Sequence, residues 1–362
     1  MAINKDNFCV IMGGGIGRRF WPFSRKTLPK QFLDFFGTGR SLLQQTFDRF
    51  KKIIPTENII VVTNALYADL VQQQLPELKA EQILLEPARR NTAPCIAWAS
   101  YHIRAINPNA NIVVAPSDHL ILKEEEFLTA IEKGLNFVAG DNKLLTLGIK
   151  PNRPETGYGY IQVDQPMRRD GLNKVKTFTE KPELELAKVF VESGEFYWNS
   201  GLFMWNVNSI IKAGEELLPE LAAKLDPGKN VYGTPDEKRF IDENFPACPN
   251  VSIDFGIMEK ADNVYVSLGD FGWSDLGTWG SLYDLSDKDE ERNVTLKCNS
   301  LFYNSHDNIV ALPANKLAVV EGLEGYLIAE SDNVLLICKK DEEHAIRKYV
   351  NDAQIKMGED YI

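Results

Sequence analysis

The first 150 residues alternate short apolar runs with segments whose apolar residues recur at helical spacing. The apolar runs predict strands at residues 8–12, 59–63, 83–85, 112–115 and 144–147. The segments between them predict helices at residues 41–54, 67–75, 92–105 and 124–139. Apolar strands that alternate with helices are typical of a parallel sheet covered by helices on both faces. The pattern therefore restricts the fold to the α/β class.

The net charge and the apolar content of the chain exclude some classes of binding partner. The 362 residues carry a net charge of −11, which argues against a general nucleic-acid binder because such a protein needs a basic face. No apolar run approaches the length of a membrane span, and no signal peptide is visible, so we expect no membrane association and a cytoplasmic location. The five cysteines are scattered without the spacing of a metal site, which indicates buried thiols.

A glycine-rich loop with basic neighbours follows the first predicted strand. It contains four glycines between residues 13 and 17, then Arg18 and Arg19, with Lys30 further on. Glycines let backbone N–H groups approach phosphate oxygens, and the basic side chains add positive charge for the same oxygens. The spacing matches neither a P-loop nor the dinucleotide fingerprint. We therefore expect a polyphosphate ligand in a third type of loop; the alternative is a tight turn with solvated basic residues.

Two aspartates are candidates for metal binding. Asp118 follows the strand predicted at 112–115, and Asp275 lies in a segment rich in glycine and tryptophan. The carboxyl ends of parallel strands share one edge of a sheet, so we expect the glycine loop and residues 116–119 on the same rim. Two carboxylates near a phosphate site could hold Mg²⁺. Taken singly, each aspartate could instead cap a helix or a turn.

Further polar groups could bind the rest of a nucleotide or a sugar. Glu180 could accept hydrogen bonds from sugar hydroxyls, Lys181 could meet a second phosphate, and the Asn199 amide suits a hydroxyl-rich ligand. The segment from Glu86 to residue 94 could contact a base. The alternative for Glu180 and Lys181 is a surface ion pair at a strand end. For Asn199 it is a turn, and for the segment from Glu86 it is a helix-capping loop.

The second half of the chain is less regular. Residues 157–163 and 175–180 predict strands of an inserted sheet, and residues 183–193 and 207–218 predict helices. A charged stretch at 287–292 predicts a boundary between domains 1–286 and 287–362. Short apolar segments beyond it predict a small all-β unit that ends in a helix at 342–352. We identify no catalytic constellation in this part.

The motifs over residues 8 to about 285 resemble, in order and type, those of the nucleotide-sugar pyrophosphorylases. The matching segments are residues 14–25, 29–32, 86–87, 90–94, 116–119, 156–161, 180–182, 199–201 and 273–278. Within this family the chain is similar to members that use GTP and mannose 1-phosphate. The resemblance implies a Rossmann-like mixed, mainly parallel sheet of the nucleotidyltransferase type, followed by a small left-handed β-helix-like domain.

The resemblance also implies roles for individual residues, with Mg²⁺ as the cofactor. The catalytic residues would be Arg19 and Lys30, and Asp118 and Asp275 would hold the metal. The nucleotide-binding set would be Gly14, Gly15, Gly17, Glu86, Asn91, Thr92 and Ser117. The sugar-phosphate set would be Gly157, Glu180, Lys181 and Asn199. The reaction would transfer GMP from GTP to mannose 1-phosphate by in-line displacement at the α-phosphorus, with release of pyrophosphate.

Departures from the family pattern leave the charged groups intact. Arg18 stands where Thr or Glu is common, and Ser117 replaces a frequent Ala. Two alternatives stay open: the same chemistry with another nucleoside triphosphate or sugar 1-phosphate, and a non-catalytic regulatory homologue that binds nucleotide sugars. We expect a homodimer from the apolar strand edges of the C-terminal part, and no isomerase activity, because that domain of longer relatives has no counterpart here.

Overall fold

A computed structural model describes residues 3–15, 17–164 and 171–362 of the chain. These residues form two compact units. The first, here called the sheet unit, is drawn from the described residues within 1–14, 47–117 and 121–273. The second, here called the C-terminal unit, combines residues 274–362 with 15–46 and 118–120.

Eleven strands lie between residues 7 and 274 in the described part of the chain, most of them close to the predicted positions. They are β1 (Asn7–Met12), β2 (Ile59–Asn64), β3 (Ile83–Glu86), β4 (Asn111–Pro116), β5 (Leu120–Ile121), β6 (Leu144–Ile149), β7 (Tyr160–Val163), β8 (Leu172–Thr179), β9 (Phe196–Asn206), β10 (Val264–Gly269) and β11 (Trp273–Ser274).

Nine of these strands form the sheet of the sheet unit, in the order β3-β2-β1-β4-β9-β6-β10-β8-β7 among the described residues. The strands β3, β2, β1 and β4 are parallel neighbours, as the alternating pattern predicts. Beyond β4 most pairings are antiparallel, because β9 runs antiparallel between β4 and β6. The predicted mixed sheet is confirmed, but its parallel character is concentrated at one side.

The expectation of a separate inserted sheet was wrong. Strands β7 and β8 belong to the same sheet as β1. The physical reason is the length of β9, which has 11 residues. Its first part pairs with β7 (Tyr160 opposite Trp198), and its last part pairs with β4 (Asn111 opposite Asn206). One long strand therefore joins both groups of strands.

Of the nine helices in the described part of this region, the first six follow predicted segments and the last three were not predicted. They are α1 (Leu42–Phe50), α2 (Ala68–Gln74), α3 (Thr92–Ile106), α4 (Glu124–Val138), α5 (Leu184–Ser193), α6 (Val207–Leu217), α7 (Pro219–Leu225), α8 (Glu237–Asn244) and α9 (Trp279–Leu285). Helix α3 packs on β1 and β2, while α4 packs on β4, β6, β9 and β10. Residues 7–11 of β1 are all buried, so both faces of this strand are covered.

The C-terminal unit contains short strands that pair in steps. They are β12 (Val294–Leu296), β13 (Asn299–Tyr303), β14 (Ile309–Ala311), β15 (Leu317–Glu321), β16 (Tyr326–Ser331) and β17 (Val334–Lys339). The pairs β12–β14, β14–β16 and β13–β15 are parallel, and β16–β17 is an antiparallel hairpin. Helix α10 (Ile346–Met357) follows, starting four residues later than predicted because residues 340–345 form a 3-10 helix.

The loop after β1 shares a core with this β region. Phe20 and Phe23 each pack near Trp279, at ring-centroid distances of 5.4 and 5.3 Å. The same cluster of buried side chains includes Ile309 and, from α10, Ile346. The predicted domain boundary between residues 286 and 287 stays a prediction. The two compact units have different boundaries, because residues 15–46 and 274–286 pack with the C-terminal segment.

None of the helices in the described ranges is long and apolar enough to span a bilayer.

Candidate active site

The end of β1 meets two other strand ends within the sheet unit. Met12 lies opposite Pro116 of β4, and its carbonyl accepts a hydrogen bond of 3.0 Å from the Ser117 N–H. A Cβ on Gly13 would lie 3.6 Å from Oγ of Ser117, and one on Gly14 would lie 3.5 Å from Oε2 of Glu86. The structure therefore brings together three predicted nucleotide-binding residues: Gly14, Glu86 and Ser117. We call these residues with Gly13 the strand-end cluster.

Glu86 is the ionisable member of the strand-end cluster. Burial raises its pKa to about 7, and the positive charge of Arg89 only partly offsets this effect. The side chain is buried at the last position of β3. A buried carboxyl group at a strand end can accept hydrogen bonds from a ligand, and its charge then depends on pH near neutrality.

Asn91 and Thr92 make contacts of the helix-capping kind. The backbone of Asn91 has φ 67°, and its side-chain oxygen accepts a hydrogen bond of 2.9 Å from the Thr92 N–H at the start of α3. The Thr92 hydroxyl oxygen accepts another of 2.9 Å from the Ile253 N–H. These contacts position the segment after β3; a nucleotide-binding role for the two residues stays a prediction.

A second polar cluster lies around Asn199, also within the sheet unit. The Asn199 amide donates to Oδ1 of Asp254 at 2.8 Å and accepts from the Thr146 hydroxyl at 3.0 Å. A Cβ on Gly159 would overlap the Glu180 carboxylate and lie 3.4 Å from Cβ of Asn199. Glu180, Asn199 and Asp254 are therefore neighbours, and we call them the carboxylate–amide cluster.

Two other predicted sugar-site residues have different surroundings. The Lys181 ammonium group pairs with the Glu180 carboxylate, although the lysine side chain is 59% exposed and that of Glu180 is 4% exposed. The N–H of Gly157 donates to the Glu155 carboxylate at 3.0 Å. The glycine beside Glu180 is thus Gly159, two residues beyond the predicted one.

Asp254 is a residue that the sequence analysis missed. It begins a single π-helical turn, Asp254–Met258. Burial and then the negative charge of Glu180 raise its pKa to about 6. In the sequence, the only sign of this site is an aspartate between apolar residues.

The C-terminal unit contains a cavity of about 590 Å³ in which basic and acidic side chains converge. It is lined by Gly17, Arg18, Arg19, Phe20, Lys30, Asp118, His119, Asp275, Gly277, Arg347 and Asn351. The cavity therefore brings together both predicted catalytic residues and both predicted metal ligands. Arg347 and Asn351 come from α10, where the sequence analysis placed no functional residue.

Lys30 occupies the buried part of this cavity. Its side chain is 7% exposed, and its Nζ lies 2.9 Å from Oδ2 of Asp118 and donates to the Asp275 carbonyl at 2.5 Å. A 3-10 helix, Lys30–Phe32, fixes the backbone at this point. Gly17 has φ 68°, and a Cβ on it would overlap Cβ of Lys30. The glycine therefore permits the loop to approach the lysine.

The two aspartates differ in their partners. Burial alone would raise the pKa of Asp118, but the charges of Lys30 and His119 together with the hydrogen bond from Lys30 outweigh it, so that the pKa lies below its usual range. Oδ1 of Asp275 accepts a hydrogen bond of 3.0 Å from the Gly277 N–H. Asp118 is thus held ionised, and Asp275 is oriented by its own turn.

Arg25 shows why proximity in sequence does not establish a role. It follows the glycine loop, yet its side chain is buried and donates to the Ser331 carbonyl at 2.7 Å and to the Asn333 side chain at 2.9 Å. These acceptors lie in the β16–β17 hairpin. Arg25 therefore anchors the β region, whereas Arg18 and Arg19 line the cavity.

A mixed sheet with ligand-type polar groups at its strand ends, together with a basic cavity that holds two carboxylates, defines a nucleotidyltransferase-like protein. The nucleotidyl transferase family matches residues 8–292. A mannose-1-phosphate guanylyltransferase of Salmonella muenchen is 37% identical over 94% of this chain and 72% of its own length. One from Escherichia coli is 34% identical, with 94% and 74% covered.

A solved structure agrees with these relatives. A Thermus thermophilus protein, described as a mannose-1-phosphate geranyltransferase, has a TM-score of 0.85 and 28% identity over 96% of this chain and 99% of its own. The chain belongs to the nucleotidyl transferase family and, within it, to the mannose-1-phosphate guanylyltransferases. The resemblance stated from the motifs is confirmed at the level of the family.

Proposed function

We propose that this protein transfers GMP from GTP to α-D-mannose 1-phosphate and releases pyrophosphate, giving GDP-mannose. Relatives that carry the name of this activity are 33–37% identical to the chain over nearly its whole length. The structural observation that carries the proposal is the position of Lys30, buried between Asp118 and Asp275 in a cavity with Arg18 and Arg19. A regulatory homologue without activity has no need of this arrangement.

The chemistry requires charge stabilisation at phosphorus. A phosphate oxygen of mannose 1-phosphate attacks the α-phosphorus of GTP, and the bond between that phosphorus and the pyrophosphate oxygen breaks. Arg19 and Lys30 would stabilise the negative charge on the oxygens around the reacting phosphorus. Lys30 is held by Asp118 and Asp275 before the reaction, so little reorganisation of this cation is needed when the charge develops.

Asp118 and Asp275 would hold Mg²⁺. Both carboxylates belong to the same cavity, and their oxygen atoms suit this hard cation. No cluster of three or more His, Cys, Asp or Glu residues suited to a metal occurs in the described residues, so water and substrate phosphates would supply the remaining ligands. When bound, the metal would neutralise phosphate charge, and the Asp118 carboxylate, which pairs with Lys30, would be one of its ligands.

The strand-end cluster would bind the nucleoside part of GTP. Its members Gly14, Glu86 and Ser117 would act with the Asn91–Thr92 segment, and Gly15 and Gly17 would lie along the phosphates. A carboxylate such as Glu86 can accept hydrogen bonds from a donor edge of the type that guanine presents. This choice of base is supported by the names of the relatives.

The carboxylate–amide cluster would bind the mannosyl group. Glu180 and Asn199 provide acceptors and donors for hydroxyl groups, and Asp254 extends this set. Lys181 would contact the sugar phosphate, since its ammonium group is largely exposed beside Glu180. Gly157 remains part of the proposed set.

We also propose three properties of the whole molecule. The stepwise parallel pairing of β12 to β16 supports a short left-handed β-helix in a C-terminal domain of residues 287–362. Exposed apolar side chains on β13 and β15, such as Leu301, Leu317 and Val319, support a homodimer. The site of action is proposed to be the cytoplasm. Light scattering after size-exclusion chromatography tests the dimer, and a monomer at working concentration would contradict it.

The function is tested by measuring pyrophosphate release with Mg²⁺. GTP is compared with ATP, UTP, CTP and dTTP, and mannose 1-phosphate with glucose 1-phosphate. We expect fast release only with GTP and mannose 1-phosphate. Release with another pair would reassign the substrates and keep the mechanism, whereas tight GTP binding without release by any pair would contradict the enzyme proposal.

A further inference from the structure

Helix α10 presents two polar residues to the cavity of the C-terminal unit. Arg347 and Asn351 both line it, and they lie four residues apart, so they occupy one face of the helix. Ile346 and Val350 lie on another face and are buried in the core. The apolar side therefore fixes the helix, while the polar side is available to a ligand.

The C-terminal segment is tied to the loop that carries Arg18 and Arg19. The Trp21 indole N–H donates to the Tyr361 carbonyl at 2.7 Å, and the Arg25 guanidinium binds the β16–β17 hairpin. Helix α10 also packs against the 3-10 helix Arg18–Phe20. These contacts hold α10, which carries Arg347, against the segment that carries the predicted phosphate-binding residues.

The charges around the cavity favour a polyanion. Four cationic side chains, Arg18, Arg19, Lys30 and Arg347, line it with the two anionic side chains Asp118 and Asp275. Among the described residues, Lys30 is paired with Asp118, whereas no carboxylate forms an ion pair with Arg347. Arg347 is the second residue of α10, and its side chain is exposed.

We propose that Arg347, assisted by Asn351, binds the β- and γ-phosphates of the nucleoside triphosphate and the pyrophosphate formed from them. This inference rests on the proposed function for the identity of the polyphosphate. The planar guanidinium can donate two parallel hydrogen bonds to phosphate oxygens, and the Asn351 amide can donate a further one. Helix α10 thereby becomes a part of the nucleotide site that holds the leaving group.

The test distinguishes the contribution of the β- and γ-phosphates to binding from the contribution of the rest of the nucleotide. Dissociation constants of GTP and GMP are measured by calorimetry for the natural chain, Arg347→Ala, Arg347→Lys and Lys348→Ala. Lys348 is an exposed cation on the same helix that does not line the cavity, so it is a matched control for the loss of one charge. Thermal melts check that each variant is folded.

We expect Arg347→Ala to weaken GTP binding by about tenfold or more and GMP binding by less than about twofold. Arg347→Lys should recover part of the loss, because it keeps the charge but not the two-pronged geometry. The KM for pyrophosphate in the reverse reaction should rise in parallel with the GTP constant. Lys348→Ala should leave all three constants unchanged.

Three results would overturn the inference: equal GTP affinities for the Arg347→Ala and Lys348→Ala variants, an equal loss for GTP and GMP, or a natural chain that binds both nucleotides alike. Failure of the proposed function has a different signature. In that case the GTP-to-GMP preference still depends on Arg347, but no sugar phosphate releases pyrophosphate from GTP.

Discussion

The ammonium group of Lys30 lies 2.9 Å from Oδ2 of Asp118, so that the proposed catalytic cation and a proposed metal ligand form one ion pair. The lysine side chain is almost fully buried, whereas the aspartate side chain is 31% exposed. Binding of a divalent cation to the exposed side of Asp118 would draw negative charge away from Lys30 and leave its ammonium group to a phosphate. The pair would thus link the proposed metal binding to the proposed phosphate binding in the C-terminal unit.

Replacement of Lys30 should strongly lower turnover. We expect Lys30→Ala to lower kcat by about a hundredfold or more, because the lost charge would act mainly on the transition state. Steady-state pyrophosphate release measures the effect. Lys26→Ala is the matched control, since Lys26 is exposed and lies in the same segment. Equal activity of the two variants would contradict the role of Lys30.

The metal proposal predicts a changed requirement for Mg²⁺. Asp118→Asn and Asp275→Asn should each raise the Mg²⁺ concentration for half-maximal activity by about tenfold or more, because each removes a charged ligand. Titration of activity with Mg²⁺ at saturating substrates measures this shift. Asp34→Asn in the same unit is the control, because Asp34 does not line the cavity. Full activity of either cavity variant at limiting Mg²⁺ would exclude the corresponding aspartate as a ligand.

Gly17 is expected to tolerate no side chain. In Gly17→Ala the residue would have to keep φ 68° and its Cβ would overlap that of Lys30, so we expect a loss of at least about 2 kcal/mol in the free energy of unfolding. Urea unfolding followed by fluorescence gives this value. Gly39→Ala is the comparison, because its φ of 79° is similar but nothing lies near the added carbon. If the two variants lose the same stability, the contact with Lys30 is unimportant.

The parallel half of the sheet was predictable because residues such as Val10, Val61 and Val113 form apolar runs of strand length between helical segments. The place of β9 was not, since its 11 residues pair with β4, β6 and β7 through contacts that no local pattern encodes. Lys30 could be singled out because a basic residue beside a glycine loop has a clear chemical use. Arg347 could not be singled out, because nothing in the local sequence distinguishes it from a solvated arginine on an amphipathic helix. Only the fold places it at the cavity.

The pKa of Glu86 predicts a pH dependence of GTP binding. Burial raises this pKa to about 7, so the carboxyl group ionises as pH rises through neutrality. If the ionised form accepts hydrogen bonds from the base, the KM for GTP should fall between about pH 6 and pH 8. The triphosphate titrates in the same range, so Glu86→Gln is the reference. If the KM for GTP depends on pH in the same way in Glu86→Gln and in the natural chain, Glu86 does not bind the base. Glu81→Gln, an exposed change, is the control and should behave like the natural chain.

Asp254 should oppose folding at high pH. Its pKa in the folded protein is about 6, above the ordinary 3.8, because burial and Glu180 disfavour its charge. For an acid whose pKa is raised by folding, stability is full at low pH and declines as pH rises through the folded value. Asp254→Asn keeps an oxygen that can accept from Asn199 and removes the charge. We therefore expect its free energy of unfolding at pH 8 to exceed that of the natural chain by about 1 to 3 kcal/mol.

The same variant should lose affinity for the sugar, which separates the two consequences of the charge. Asp254→Asn should raise the KM for mannose 1-phosphate and leave the KM for GTP unchanged, because Asp254 contacts Asn199 in the carboxylate–amide cluster.

Urea unfolding at pH 4 and pH 8 measures the stability of this variant, and Asp262→Asn, an exposed change, is the control. The stability gain should vanish at pH 4, where the carboxyl group of the folded protein is already protonated. A gain of equal size at both values of pH would show that packing, and not the charge beside Glu180, determines the effect.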